Sequence, residues 1–180
     1  MGATRISIAE FEATCGDDRV ELVDGVVVQM PAGSAWSSSI SISVMMQVYP
    51  YVRERELGRV YAANCGFVLF PDRATVVAPD GAYVREDRAP QGKAREHFVN
   101  VPPDLALETL APADRAEDMA VRIALYQEAG VPLVWVADPE AEPITVFALD
   151  QSPRTLGVGD ELDGGDVLPG FRVAVAEIFS

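Results

Sequence analysis

Apolar residues come in short periodic blocks separated by turn-forming residues, a pattern that predicts alternating strands and helices. Ser7 precedes Ile8 and Phe11 on one helical face, so a short helix is expected there, ended by Gly16. Val20–Val23 and Val26–Val28 flank Asp24-Gly25, a strong hairpin signal. Period-two alternation puts Glu21 and Val23 on one side and Val20 and Leu22 on the other, leaving Glu21 either at the surface or in a site. A loop over 31–34 precedes Trp36 to Leu57, where two periods overlap. Ile40 to Val44 alternates like a strand, yet Ile40, Val44, Val48 and Val52 recur every four residues, and the charged ending before Gly58 favours a helix. Pro50 should bend or stop it. Strands are expected at 59–63, 66–70, 76–78 and 82–84, with a turn at Pro71-Asp72-Arg73 and Pro79-Asp80-Gly81 before the last strand. The charged, proline-bearing stretch 85–103 reads as a surface loop carrying His97, the only histidine.

The stretch from Pro103 to Pro139 organises the rest. Leu105 to Leu110 is an apolar run of the kind covered on both faces of a sheet, and it carries Glu108 in its middle. A buried carboxylate needs a cation, hydrogen bonds or a metal. Asp114 is the expected N-cap of a helix over 115–129 with Met119, Ile123 and Tyr126 on its apolar stripe and Gly130 as its stop. Val131 to Ala137 is then a second buried strand, parallel to the first. Arg122 is the first helix position able to approach the Glu108 face. Beyond this unit, strands are expected at 144–149 and 154–158, an acidic turn at 157–165 and a short helix or strand at 173–179. The expectation is one α/β (α+β) domain over residues 1–180, a central mixed sheet flanked by helices.

Composition narrows the function classes. A net charge of −14 argues against a broadly nucleic-acid-binding surface. Ten of the fourteen basic residues nevertheless lie between Arg53 and Arg122, a cluster that reads equally as a local basic face or as solvated mixed charge. Thirteen of the basic residues are arginines, the lone lysine being Lys93. Cys15 and Cys65 belong to no metal or disulfide pattern and read as buried thiols. The sequence shows neither a signal-peptide pattern nor an apolar run long enough to span a bilayer, so a cytoplasmic protein is expected. At 49 % hydrophobic residues, some apolar surface is expected to be covered by other copies in a homo-oligomer.

Five pieces, in order, carry a family resemblance. They are Arg19 to Gly25, Pro79-Asp80, Pro103-Asp104-Leu105 with Glu108-Thr109-Leu110, Tyr126 with Ala129-Gly130-Val131, and Trp135 to Pro139. Together, from about Ile8 to Phe147, the set resembles the Uma-type endonucleases of the PD-(D/E)xK nuclease superfamily. The resemblance implies a restriction-endonuclease-like core and DNA as substrate. It also implies Asp80 and Glu108 as metal-binding carboxylates, Glu21 as a further acidic residue near the site, and Mg2+ or Mn2+, one or two ions, as cofactor. Arg122 stands where the family carries its lysine; Ala111-Pro112-Ala113 replaces a Ser-Pro-Ser, and Ser37 to Ser39 occupy a place that often holds a histidine.

The chemistry suits these residue types. Mg2+ prefers oxygen ligands and commonly takes one or two carboxylates with waters, here Asp80 and Glu108 with the Thr109 carbonyl. Arg122 can neutralise a phosphate but cannot be deprotonated. Two readings stand open. In one, the chain is a metal-dependent endonuclease impaired by Arg122. In the other, Glu108 and Arg122 form only a structural ion pair, Asp80 is a turn former, and the chain is a degenerate, oligomeric binding protein.

Overall fold

In the computed structural model, residues 4–15, 19–30, 32–112 and 115–180 are described. The expected Gly16 stop, the first residue of the 31–34 loop, Ala113 and the Asp114 cap lie outside them. The N-terminal half runs α1 (Ile8–Cys15), β1 (Val20–Val23), β2 (Val26–Gln29), α2 (Ala35–Glu54), β3 (Gly58–Ala62), β4 (Phe67–Phe70), β5 (Thr75–Val77) and β6 (Gly81–Arg85). The rest is β7 (Leu105–Thr109), α3 (Ala116–Glu128), β8 (Leu133–Ala137), β9 (Ile144–Ala148), β10 (Arg154–Leu156), β11 (Glu161–Gly164), β12 (Leu168–Ala174) and α4 (Val175–Ile178). No helix among the described residues is long and apolar enough to cross a membrane.

The central sheet has the order β10-β9-β8-β7-β6-β3. β7 and β8 pair in parallel, as their helical crossover requires, and the other pairs are antiparallel. A second sheet, β2-β1-β5-β4, is built on the Asp24-Gly25 hairpin, whose turn residues both have positive φ (49° and 78°). Strict alternation along β7 places Leu105 and Leu107 in the cluster formed with Ile40, Val44 and Val48 of α2. Ala106 falls in the cluster formed with Tyr126 of α3, so Glu108, two residues on, also faces α3. The sheet is thus covered on both faces, and Glu108 is buried.

Helix ends follow local chemistry. Ser7 and Glu10 form a capping box, with Glu10 N–H donating to Ser7 Oγ and Ser7 N–H to Glu10 Oε2. At the end of α3, Gly130 (φ 75°) lets Val131 N–H reach Tyr126 O and Gly130 N–H reach Gln127 O, the Schellman arrangement expected there.

Several expectations need correction. Pro50 does not stop α2, which runs on to Glu54. The first turn of α3 is entered from Arg115 in extended backbone, with no side-chain cap hydrogen bond from it. Cys15 and Cys65 are only partly buried. The acidic segment 157–165 contains β11, paired with β12, a strand hidden in the sequence by Pro169 and Gly170. Those two breakers lie where the register shifts, between Gly164↔Leu168 and Asp163↔Arg172, so they sit in a bulge and interrupt no ladder pairing. The arginine cluster resolves as mixed charge: Arg59 pairs with Glu86, Arg73 with Asp24 and Glu128, and Arg88 with the buried Asp104.

Candidate functional site

Four separate elements bring the acidic residues singled out above and Arg122 to one cleft of about 720 Å3. β1 contributes Glu21, the link between β5 and β6 contributes Asp80, β7 contributes Glu108 and Thr109, and α3 contributes Arg122. Asp80 is not a hairpin turn. β5 belongs to the second sheet and β6 to the central one, so Ala78-Pro79-Asp80 is where the chain passes between sheets.

Arg122 is the hub. Its Nε donates to Glu108 Oε1 at 2.6 Å, Nη1 to Glu21 Oε2 at 2.7 Å, and Nη2 to Glu21 Oε1 at 2.8 Å and to Ala78 O at 3.1 Å. A guanidinium has about five N–H donors, so four bonds to the protein leave one Nη1 hydrogen. Glu21, at 3 % exposure, is buried and not at the surface. Its Oε1 also accepts from Ala78 N–H at 2.7 Å, so both its oxygens are engaged.

Glu108 takes a second donor on the same oxygen: the fully buried Tyr126 hydroxyl lies 2.5 Å from Oε1. Asp80 is oriented by the Thr109 backbone N–H, which donates to its Oδ2 at 2.8 Å, while Thr109 Oγ1 lies 2.9 Å from Ser41 Oγ on α2. Burial pushes the Glu108 carboxyl up to about 7; the Arg122 guanidinium pulls it down and the neighbouring Asp80 carboxylate pushes it up again. Burial would lower Arg122, but the facing carboxylates of Glu108 and Glu21 reverse this and hold it well above its usual value. Burial also holds the Tyr126 hydroxyl well above its ordinary range, so it acts as a donor.

Among the described residues, no three acidic, histidine or cysteine side chains gather where they could hold one metal ion. What the cleft offers is the pair Asp80 and Glu108, close enough for one charge to raise the other's pKa. Two carboxylates completed by water fit a single Mg2+ or Mn2+, and Glu21, clasped by Arg122, is not available as a third.

Outside the cleft, Asp138 is a turn former, accepting from Glu140 and Ala141 N–H. His97 is exposed beside Glu12 of α1. The contributor missed in the sequence was Tyr126, read there as core. Its signal is its place one helical turn after Arg122, because a buried phenol needs an acceptor.

The family model Uma2, described as "Putative restriction endonuclease", matches residues 8–176. A crystal structure described as a putative nuclease belonging to DUF820, from Anabaena variabilis ATCC 29413, superposes with a TM-score of 0.82 at 16 % identity, covering 97 % of each chain. At that identity the likeness shows a shared fold. Comparison with curated proteins gives no match.

Proposed function

The chain belongs to the Uma2 family, and from that premise we propose that it is a metal-dependent endonuclease hydrolysing DNA phosphodiesters, with Asp80 and Glu108 as metal-binding carboxylates. The observation that carries this reading is the meeting of those two carboxylates in an open cleft, each held by donors from the fold. One ion suits the pair better than two, with the Thr109 carbonyl as a further ligand. Bound there, Mg2+ or Mn2+ would supply an activated water and neutralise charge on the scissile phosphate. Thr109 N–H holds Asp80 in place, and Arg122 and Tyr126 hold Glu108. Arg122 contributes positive charge and its remaining Nη1 hydrogen towards a phosphate oxygen, but no transferable proton.

A second reading is favoured by one observation, the engagement of Arg122 in four protein bonds. In this reading Glu21, Arg122 and Glu108 form a structural ion cluster and the chain is an oligomeric binding protein. We place the homo-oligomer contact on the exposed flank of α2, where Ile42, Met46 and Tyr49 recur at helical spacing.

Arg122→Lys separates the two readings. A lysine restores a compact ammonium beside Glu108 while releasing the fork on Glu21, so nicking of supercoiled plasmid in Mn2+ should rise about tenfold or more. Absence of nicking in both proteins would favour the structural reading.

A further inference from the structure

We propose that Tyr126 is a positioning residue that decides which oxygen of Glu108 the cleft receives, making this a site for a small octahedral cation in preference to calcium. The inference rests on the metal reading above. Its starting point is that two donors converge on one atom: Tyr126 OH and Arg122 Nε both donate to Glu108 Oε1, at 2.5 and 2.6 Å, and neither reaches Oε2. A carboxylate has about four lone-pair sites, two on each oxygen, so the acceptor capacity of Oε1 is filled.

Neither donor is free to swing away. Arg122 is clasped by Glu21 and Ala78 O, and Tyr126 is fully buried against the sheet on the same helix. Glu108 is therefore left to bind a cation through Oε2 alone, as a monodentate ligand beside Asp80. That arrangement matches Mg2+ or Mn2+, which take six ligands in near-ideal octahedra and retain water. Ca2+ takes six to eight ligands at longer distances and commonly uses a carboxylate through both oxygens, which a saturated Oε1 forbids.

Tyr126→Phe keeps the ring and its packing, and removes only the donor. Oε1 then regains a lone pair, and Glu108 can turn both oxygens to a larger ion. The experiment is calorimetric titration of native protein and Tyr126→Phe with Mn2+ and with Ca2+, alongside melting without metal to report packing. Native protein should prefer Mn2+, and the ratio of the Ca2+ to the Mn2+ dissociation constant should fall about tenfold in the variant, the scale on which partners of metal ligands act. An unchanged ratio, whether both affinities weaken alike or neither moves, would show that Tyr126 only packs, and would overturn this inference while leaving the metal reading intact. If native protein binds no Mn2+, the metal reading fails and takes the inference with it.

Discussion

Arg122→Ala is expected to lower the free energy of unfolding by about 3–5 kcal/mol, the scale for removing one partner of a buried charge cluster. The substitution leaves Glu21 and Glu108, at 3 % and 5 % exposure, without their shared cation, and leaves Ala78 O without a donor. For a chain of 180 residues this corresponds to a fall in melting temperature of about 10 °C. Urea unfolding at neutral pH measures it. The surface pair Arg172 and Glu161, both more than 60 % exposed, supplies the comparison, since breaking it should cost at most about 1 kcal/mol. If Arg122→Ala cost no more than that, water would be solvating Glu21 and Glu108 through the cleft in place of the guanidinium.

The second large effect is a pH dependence centred on Glu108. Its carboxyl is raised by burial from the usual 4.5 to about 7 in the folded protein. Below about pH 4.5 the group is neutral in both states. Between there and about 7 the unfolded chain gives up its proton while the folded one keeps it, so the unfolded state binds fewer protons and stability falls as pH rises; above about 7 the contribution is flat. Glu108→Gln removes the titration and still offers an oxygen to Arg122 and Tyr126. Relative to native protein, the variant should gain a few kcal/mol between pH 5 and pH 8. A stability difference independent of pH would show that Arg122 keeps Glu108 ionised throughout.

How far the sequence carries can be judged from particular residues. The unit β7-α3-β8 was legible because its signals are local: an apolar run, a helical stripe and Gly130 as a stop. From strand alternation and helix geometry alone, Arg122 could be placed opposite Glu108. Glu21 was not settled in that way. A four-residue strand with one carboxylate looks the same at a surface as in a site, and what engages Glu21 is the Ala78 N–H just after β5 and Arg122 on α3, both more than fifty residues away. Asp80 had the same ambiguity, because Pro-Asp-Gly signals a turn whether the next strand joins the same sheet or another. β12 was lost because proline and glycine argue against a strand unless a bulge admits them.

The proposed function requires Asp80 and Glu108 to form a divalent-cation site. It is tested most directly by calorimetric titration of native protein and Glu108→Ala with Mn2+ at pH 8, where Glu108 is ionised. One ion per chain is expected in the native protein and none in Glu108→Ala. Equal binding by the two proteins, or no binding by either, would contradict it and leave Glu108 as the structural partner of Arg122.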